Sequence, residues 1–302
     1  MKNSIVSISI FFVFFMFSCA QDTTLDFNSY KLLERLEVLS SDTFEGRRTG
    51  EKGNDLARTY LIEQFKSLNA PAFGNKYEHK FLFEAREKSY NAVNVLAKIQ
   101  GVEFPDRYIV ISAHHDHLGI RDNKIYNGAD DDASGVAALL SFAEYLTKNP
   151  PKHSVILAAF DAEELGLQGS KYFVDKMRNS TIIANINMDM ISRSSKNELY
   201  VVGTRYNKTL KAIVDNFKNP TSSKLLEGHD GTDGKDDWTM ASDHGPFHKA
   251  NIPFLYFGNE DHAAYHKPED DFKDITPEFY INSVKIILSI FNKIDNLGLK
   301  KF

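Results

Sequence analysis

Short apolar runs at 108–113, 155–160, 182–186 and 252–257 punctuate the chain from its middle third onward. Each is too short for a core helix and rich in β-branched or aromatic residues. Stretches of helical length separate them, so they predict buried parallel strands joined by crossover helices. One such helix carries Val136, Leu139, Leu140, Ala143 and Leu146 on a single stripe and is ended by Asn149, Pro150 and Pro151. Upstream, Leu32, Leu33, Leu36, Val38 and Leu39 recur at helical spacing. After the turn-rich segment 44–53, a second helix places Leu56, Tyr60, Leu61, Phe65 and Leu68 on one face and stops before Pro71. Residues 91–99 alternate polar with apolar, which predicts an exposed or edge strand. A last helix spans about 277–294. No repeat, low-complexity linker or compositional break divides the chain, so the pattern predicts one α/β domain.

The start of the chain follows different rules. Residues 5–17 are a purely non-charged, largely apolar run, preceded by Lys2 and followed by Ser18, Cys19 and Ala20. These are the parts of an export signal, and the run is too short to span a membrane. The stretch 16–19 (Met-Phe-Ser-Cys) reads as a loose bacterial lipobox, while 18–20 (Ser-Cys-Ala) also satisfies ordinary signal peptidase. The single cysteine of the chain sits where a lipid would be attached, which favours the lipoprotein form. The expected organisation is a signal peptide at 1–19 and a catalytic domain at 20–302. The product is exported, either as an anchored cell-envelope lipoprotein or as a periplasmic or secreted protein. Of the 302 residues 42% are hydrophobic and 25% charged, with a net charge of −5, so nothing obliges any face to bind nucleic acid. Membrane contact is expected only through Cys19.

Ligands of open α/β sheets bind beyond the carboxyl ends of the strands. Each apolar run leads into such candidates: 114–117 (His-His-Asp-His), 161–164 (Asp-Ala-Glu-Glu), 187–189 (Asn-Met-Asp) and, after a short loop, His262 and His266. The loop before the central helix adds Asp130, Asp131 and Asp132. So many carboxylates at one sheet edge repel one another unless cations sit among them. Mixed imidazole and carboxylate donors without thiolate favour zinc over calcium or magnesium.

The stretches 112–119, 127–135, 160–170, 187–191, 242–247 and 265–270, together with 44–47, resemble in sequence and order the co-catalytic zinc aminopeptidases. This is metallopeptidase family twenty-eight, of the bacterial leucyl aminopeptidase type. The resemblance implies a single-domain three-layer sandwich of phosphorylase/hydrolase-like type, its mixed, mostly parallel sheet flanked by helices. It implies two Zn2+ ions. His114, Asp131 and Asp189 would hold one and Asp131, Glu164 and His266 the other, with Asp131 bridging. Asp116 would support His114 from behind through its carboxylate. His115 and His117 are left on the rim, His117 being the alternative ligand if the register is shifted. Asp130 and Asp132 are expected to face solvent or cap a helix. Glu163 takes the part of general base for a zinc-bridging water that attacks the scissile carbonyl. Tyr265 resembles a position that donates a hydrogen bond to the oxyanion.

The implied activity is removal of N-terminal residues from peptides. The alternatives are glutaminyl cyclase or another peptidase specificity on the same fold, and a non-catalytic binding ectodomain. In the cyclases the resemblance implies one zinc and no counterpart of His114; in the ectodomains the metal ligands are lost. Asp243 and His244 are expected to line the cleft, or else Ser242 or Asp243 to cap a helix. Loop 227–237 is rich in oxygen donors but lacks EF-hand spacing, and reads as a mobile cleft rim or a calcium site.

Overall fold

The four apolar runs lie side by side in one sheet. A computed structural model describes residues 27–85 and 87–299; the leader and Cys19 lie outside the described residues. In chain order the elements are α1 (Ser29–Leu39), α2 (Lys52–Ser67), β1 (Glu78–Ala85), β2 (Lys88–Ile99), β3 (Phe104–His114), β4 (Gly119–Arg121) and β5 (Lys124–Tyr126). They continue with α3 (Ser134–Lys148), β6 (His153–Phe160), α4 (Gln168–Lys176), β7 (Thr181–Met188), β8 (Glu198–Val202), α5 (Lys208–Asp215), β9 (Lys224–Glu227), α6 (His244–Lys249), β10 (Phe254–Gly258) and α7 (Pro277–Leu297). The main sheet has eight strands in the order β1, β2, β6, β3, β7, β10, β8, β9. Its centre, β6, β3, β7 and β10, is parallel throughout. Both flanks join it antiparallel, β2 on β6 and β8 on β10.

Strand periodicity sends alternate residues to opposite faces. On β3 and β6, Ile109, Ile111, Val155 and Leu157 pack toward the layer of α1, α2, α3, α5 and α7. Val110, Ile156, Ala158 and Phe160 pack toward Phe173 of α4 and Phe247 of α6. The three-layer, mostly parallel architecture is therefore as expected. The helix ends follow local chemistry: the Asn28 side chain accepts from Lys31 N at the start of α1, and Pro277 opens α7.

One strand expectation fails. Residues 91–99 are not an edge, because β1 pairs along one side of β2 and β6 along the other, and residues 92–97 are buried throughout. The polar member of the alternation is used internally. Asn94 donates to Gly169 O at 2.9 Å and accepts from Asp161 N at 3.0 Å. Its side chain ties β2 to the segment that follows β6.

Candidate metal centre

Because β6, β3, β7 and β10 run parallel, the segments that follow them emerge on one edge of the sheet. His114 ends β3, Glu163 and Glu164 follow β6, Asp189 follows β7, and His266 lies in the loop after β10. Asp131 arrives from the turn that opens α3. His114 Nε2 lies 3.1 Å from Asp131 Oδ1 and 3.6 Å from Asp189 Oδ1. Asp131 Oδ2 lies 3.1 Å from His266 Nε2, which is 3.6 Å from Glu164 Oε1. The two oxygens of one carboxylate thus face two separate histidines, and all five expected ligands converge.

His117 departs from expectation. It is buried, not on the rim, and its Nδ1 lies 2.8 Å from Glu164 Oε1 and 3.8 Å from Asp131 Oδ2. His115 is buried too, with Nε2 3.1 Å from Val93 O and Nδ1 3.4 Å from the Asn54 amide. It ties the segment after β3 to β2 and α2.

Asp130 and Asp132 do not face solvent. Asp130 accepts from the Ser192 backbone and hydroxyl at 2.7 and 2.8 Å and from Asn259 Nδ2 at 2.9 Å. Asp132 accepts from Gly135 N at 2.9 Å at the start of α3, from His114 N at 3.1 Å and from Met190 N at 3.3 Å. Its helix-capping part is present, but the same carboxylate also ties the ends of β3 and β7 to α3. Burial is possible because the backbone N–H groups of neighbouring loops satisfy these oxygens. Asp116 stands behind His114 as expected, its Oδ1 3.8 Å from His114 Nδ1, but it also does more. His114 Nδ1 donates to the Asp116 carbonyl at 3.0 Å, while the carboxylate accepts from Glu163 N at 3.0 Å and Glu164 N at 3.3 Å. It therefore fixes the main chain that carries both glutamates.

Several supporting residues had no role in the sequence reading. Arg47 is buried and donates to Leu39 O, His115 O, Asn127 O and Gly128 O at 2.6 to 3.0 Å. Asp270 accepts from Asp130 N and Asp131 N at 3.1 Å. Asp161, by contrast, was a sequence candidate as the first residue of 161–164, and it accepts instead from Val93 N, Thr49 Oγ1, Asn54 Nδ2 and Ala162 N. Arg47 and Asp270 lie in the stretches 44–47 and 265–270, but their partners are remote in sequence. Asp243 and His244 are buried rather than cleft-lining, and Asp243 makes no side-chain cap on α6. In the loop after β9, Asp230, Asp233 and Asp237 accept from nearby backbone N–H groups.

The charges explain what the cluster needs. Burial pushes the Glu163 carboxyl well above the usual carboxylate range, and Asp189, Asp243 and Glu164 add like charge against the pull of His114. Burial would also raise Asp131, yet His117, His114 and His266 hold it well below that range. Burial and the neighbouring carboxylates keep the Tyr265 phenol protonated. Glu164 Oε1 and both nitrogens of His117 are buried without a hydrogen-bond partner. Convergent carboxylates and imidazoles with unsatisfied donor atoms fit zinc, and the grouping of His114 with Asp131 and Asp189 is compact enough for one ion.

Residues 94–291 match peptidase family M28. The chain is 31% identical to aminopeptidase YwaD of Bacillus subtilis over 208 residues, covering 64% of this chain and 42% of that protein. It is 38% identical over 108 residues to a probable zinc metalloprotease of Pyrenophora tritici-repentis, covering 34% of this chain and 22% of the relative. The chain thus spans under half the length of these curated relatives. Among solved structures, the zinc aminopeptidase BSAP from Bacillus subtilis aligns with a TM-score of 0.70 at 16% identity, covering 92% of this chain and 98% of that one. Porphyromonas gingivalis glutaminyl cyclase aligns equally well, with a TM-score of 0.70 at 17% identity over 88% and 98%. At these identities the likeness is one of fold.

Proposed function

Because the chain belongs to peptidase family M28, we propose that it is a zinc-dependent aminopeptidase that removes N-terminal residues from peptides. The observation that carries this reading is Asp131, whose two oxygens face His114 on one side and His266 on the other at 3.1 Å. In the proposal His114, Asp131 and Asp189 hold one zinc and Asp131, Glu164 and His266 hold a second. Zinc bound there supplies Lewis acidity, which polarises a peptide carbonyl and makes water a nucleophile at neutral pH.

The chain's own groups handle the protons. Glu163 takes a proton from the attacking water and delivers it to the amine as the C–N bond breaks. Its backbone N–H donates to the buried Asp116, so the base is anchored by the loop that follows β3. Tyr265 stays protonated and donates to the oxygen that gains charge as water adds to the carbonyl. Its ring stacks on His266 with centroids 3.9 Å apart, which limits the positions its hydroxyl can take. Export belongs to the same proposal and rests on the leader 1–19, with anchoring through a lipid on Cys19.

The experiment is a panel of aminoacyl chromogenic substrates and N-blocked peptides, assayed with and without chelator. The expected result is chelator-sensitive release from free N-termini only, with Glu163→Gln losing turnover while retaining zinc. Cleavage of blocked peptides refutes the aminopeptidase reading. One bound zinc with efficient cyclisation of N-terminal glutamine replaces it with the cyclase reading.

A further inference from the structure

His117 is unusual among the buried polar side chains. Its ring is sealed from solvent, and neither nitrogen has a hydrogen-bond partner among the described residues. Nδ1 nonetheless lies 2.8 Å from Glu164 Oε1, itself buried without a partner. The approach is close, but it lacks the geometry of a hydrogen bond. Two electron-pair donors held together without a proton directed between them are what a shared cation requires.

The same two oxygens serve both rings. His117 Nδ1 faces Glu164 Oε1 at 2.8 Å and Asp131 Oδ2 at 3.8 Å; His266 Nε2 faces Asp131 Oδ2 at 3.1 Å and Glu164 Oε1 at 3.6 Å. Donor atoms around one tetrahedral zinc with bonds of roughly 2.0–2.2 Å stand about 3.3 Å apart, and the four separations bracket that value. The compact group His117, Asp131 and Glu164 is formed without His266. The loop carrying Asp131 also closes directly over this ring. Gly128 has φ +54°, and a Cβ there would come 2.5 Å from His117 Cδ2.

We infer that His117 is a fourth protein ligand of the second zinc, beside Asp131, Glu164 and His266. This inference rests on the two-zinc reading above. It makes the two sites unequal. The first keeps three protein ligands and an open position for substrate, while the second has four and holds its ion more tightly. His117 is the rigid member of the second pair of imidazoles, since the His266 side chain is 41% exposed and that of His117 is fully buried.

The test uses zinc itself as probe. Wild-type protein, His117→Ala and His117→Gln are equilibrated in zinc buffers, bound metal is counted per chain, and cobalt-substituted samples are followed by visible absorption. Two zinc ions of unequal affinity are expected for the wild type. In both variants the tighter ion weakens by about 10- to 100-fold, the scale on which ligand support tunes affinity, and a cobalt band is lost or shifted. His117→Gln preserves polarity, and unfolding of the chelator-treated proteins reports separately on folding. Wild-type affinity for both ions in the two variants overturns the assignment of His117 and leaves the aminopeptidase reading standing. A wild-type protein that binds no zinc overturns the reading beneath it.

Discussion

Replacing Arg47 by Met tests the idea that one buried cation assembles the loops that carry the proposed metal ligands. The guanidinium donates to four main-chain oxygens, Asn127 at 2.6 Å, Leu39 at 2.8 Å, and His115 and Gly128 at 3.0 Å each. Those oxygens belong to the end of α1, the segment after β3 and the turn that carries Asp131. Hydrogen bonds from a charged donor contribute about 1.5–3 kcal/mol each, so the gross loss is about 6 kcal/mol or more. Against this, the variant no longer carries the cost of burying a guanidinium, a cost visible in the lowering of its pKa by burial. Breaking buried charged networks from one side leaves a net loss of about 3–5 kcal/mol. For a domain of this size that is a fall in Tm of about 6–20 °C, at roughly 2–4 °C per kcal/mol. Arg47→Lys is expected to recover little, because a point-like ammonium with three donors cannot reproduce a planar fork reaching four carbonyls. Thermal unfolding of chelator-treated protein, followed by far-UV circular dichroism, isolates this effect from metal binding. A Met variant melting within about 2 °C of wild type, the shift of a single kcal/mol or less, refutes the reasoning.

Zinc removal is expected to lower Tm, since an ion present at 100 times its Kd stabilises the folded state by about 2.7 kcal/mol; differential scanning calorimetry with and without chelator reads the shift, and coincident curves contradict it. Gly128→Ala places a Cβ about 2.1 Å from Asp131 O at a positive φ, so zinc per chain is expected to drop below wild type in elemental analysis. Burial pushes His244 down to about 4, below the ordinary value of 6.5. The unfolded chain therefore binds more protons between those values, and stability falls as pH drops through that window. From pH 7.5 to pH 5 the wild type is expected to lose about 2 kcal/mol more than His244→Phe. Urea titrations at both pH values measure this, and parallel losses in the two proteins count against it.

The runs at 108–113, 155–160, 182–186 and 252–257 were legible because strands buried on both faces need no polar alternation, and their composition alone sets them apart. For 91–99 the same logic misled. An alternating strand signals an exposed face only if its polar residues reach water, and Asn94 spends its amide on Gly169 and Asp161 instead. The candidate metal ligands were legible for a related reason: carboxylates and imidazoles placed just past parallel strands meet at one edge, while the choice of five among them came from the resemblance to the zinc aminopeptidases. His114, Asp131, Glu164, Asp189 and His266 do meet there.

What the sequence by itself determined is the class of fold and the chemistry of its active edge, because both depend on short-range pattern: apolar runs, turn residues and the donor types that follow each strand. Only the tertiary structure decided the parts played by the acids and histidines next to the ligands. Asp130 and Asp132 became buried struts, Asp116 came to hold the glutamate backbone, His115 was buried against β2, and His117 came to lie against Glu164. Neighbouring residues of one chemical type are told apart by which loops close over them. That closure is set by Arg47 and Asp270, whose partners lie up to 140 residues away. Burial and long-range hydrogen bonding are properties of the assembled chain, and no local spacing encodes them.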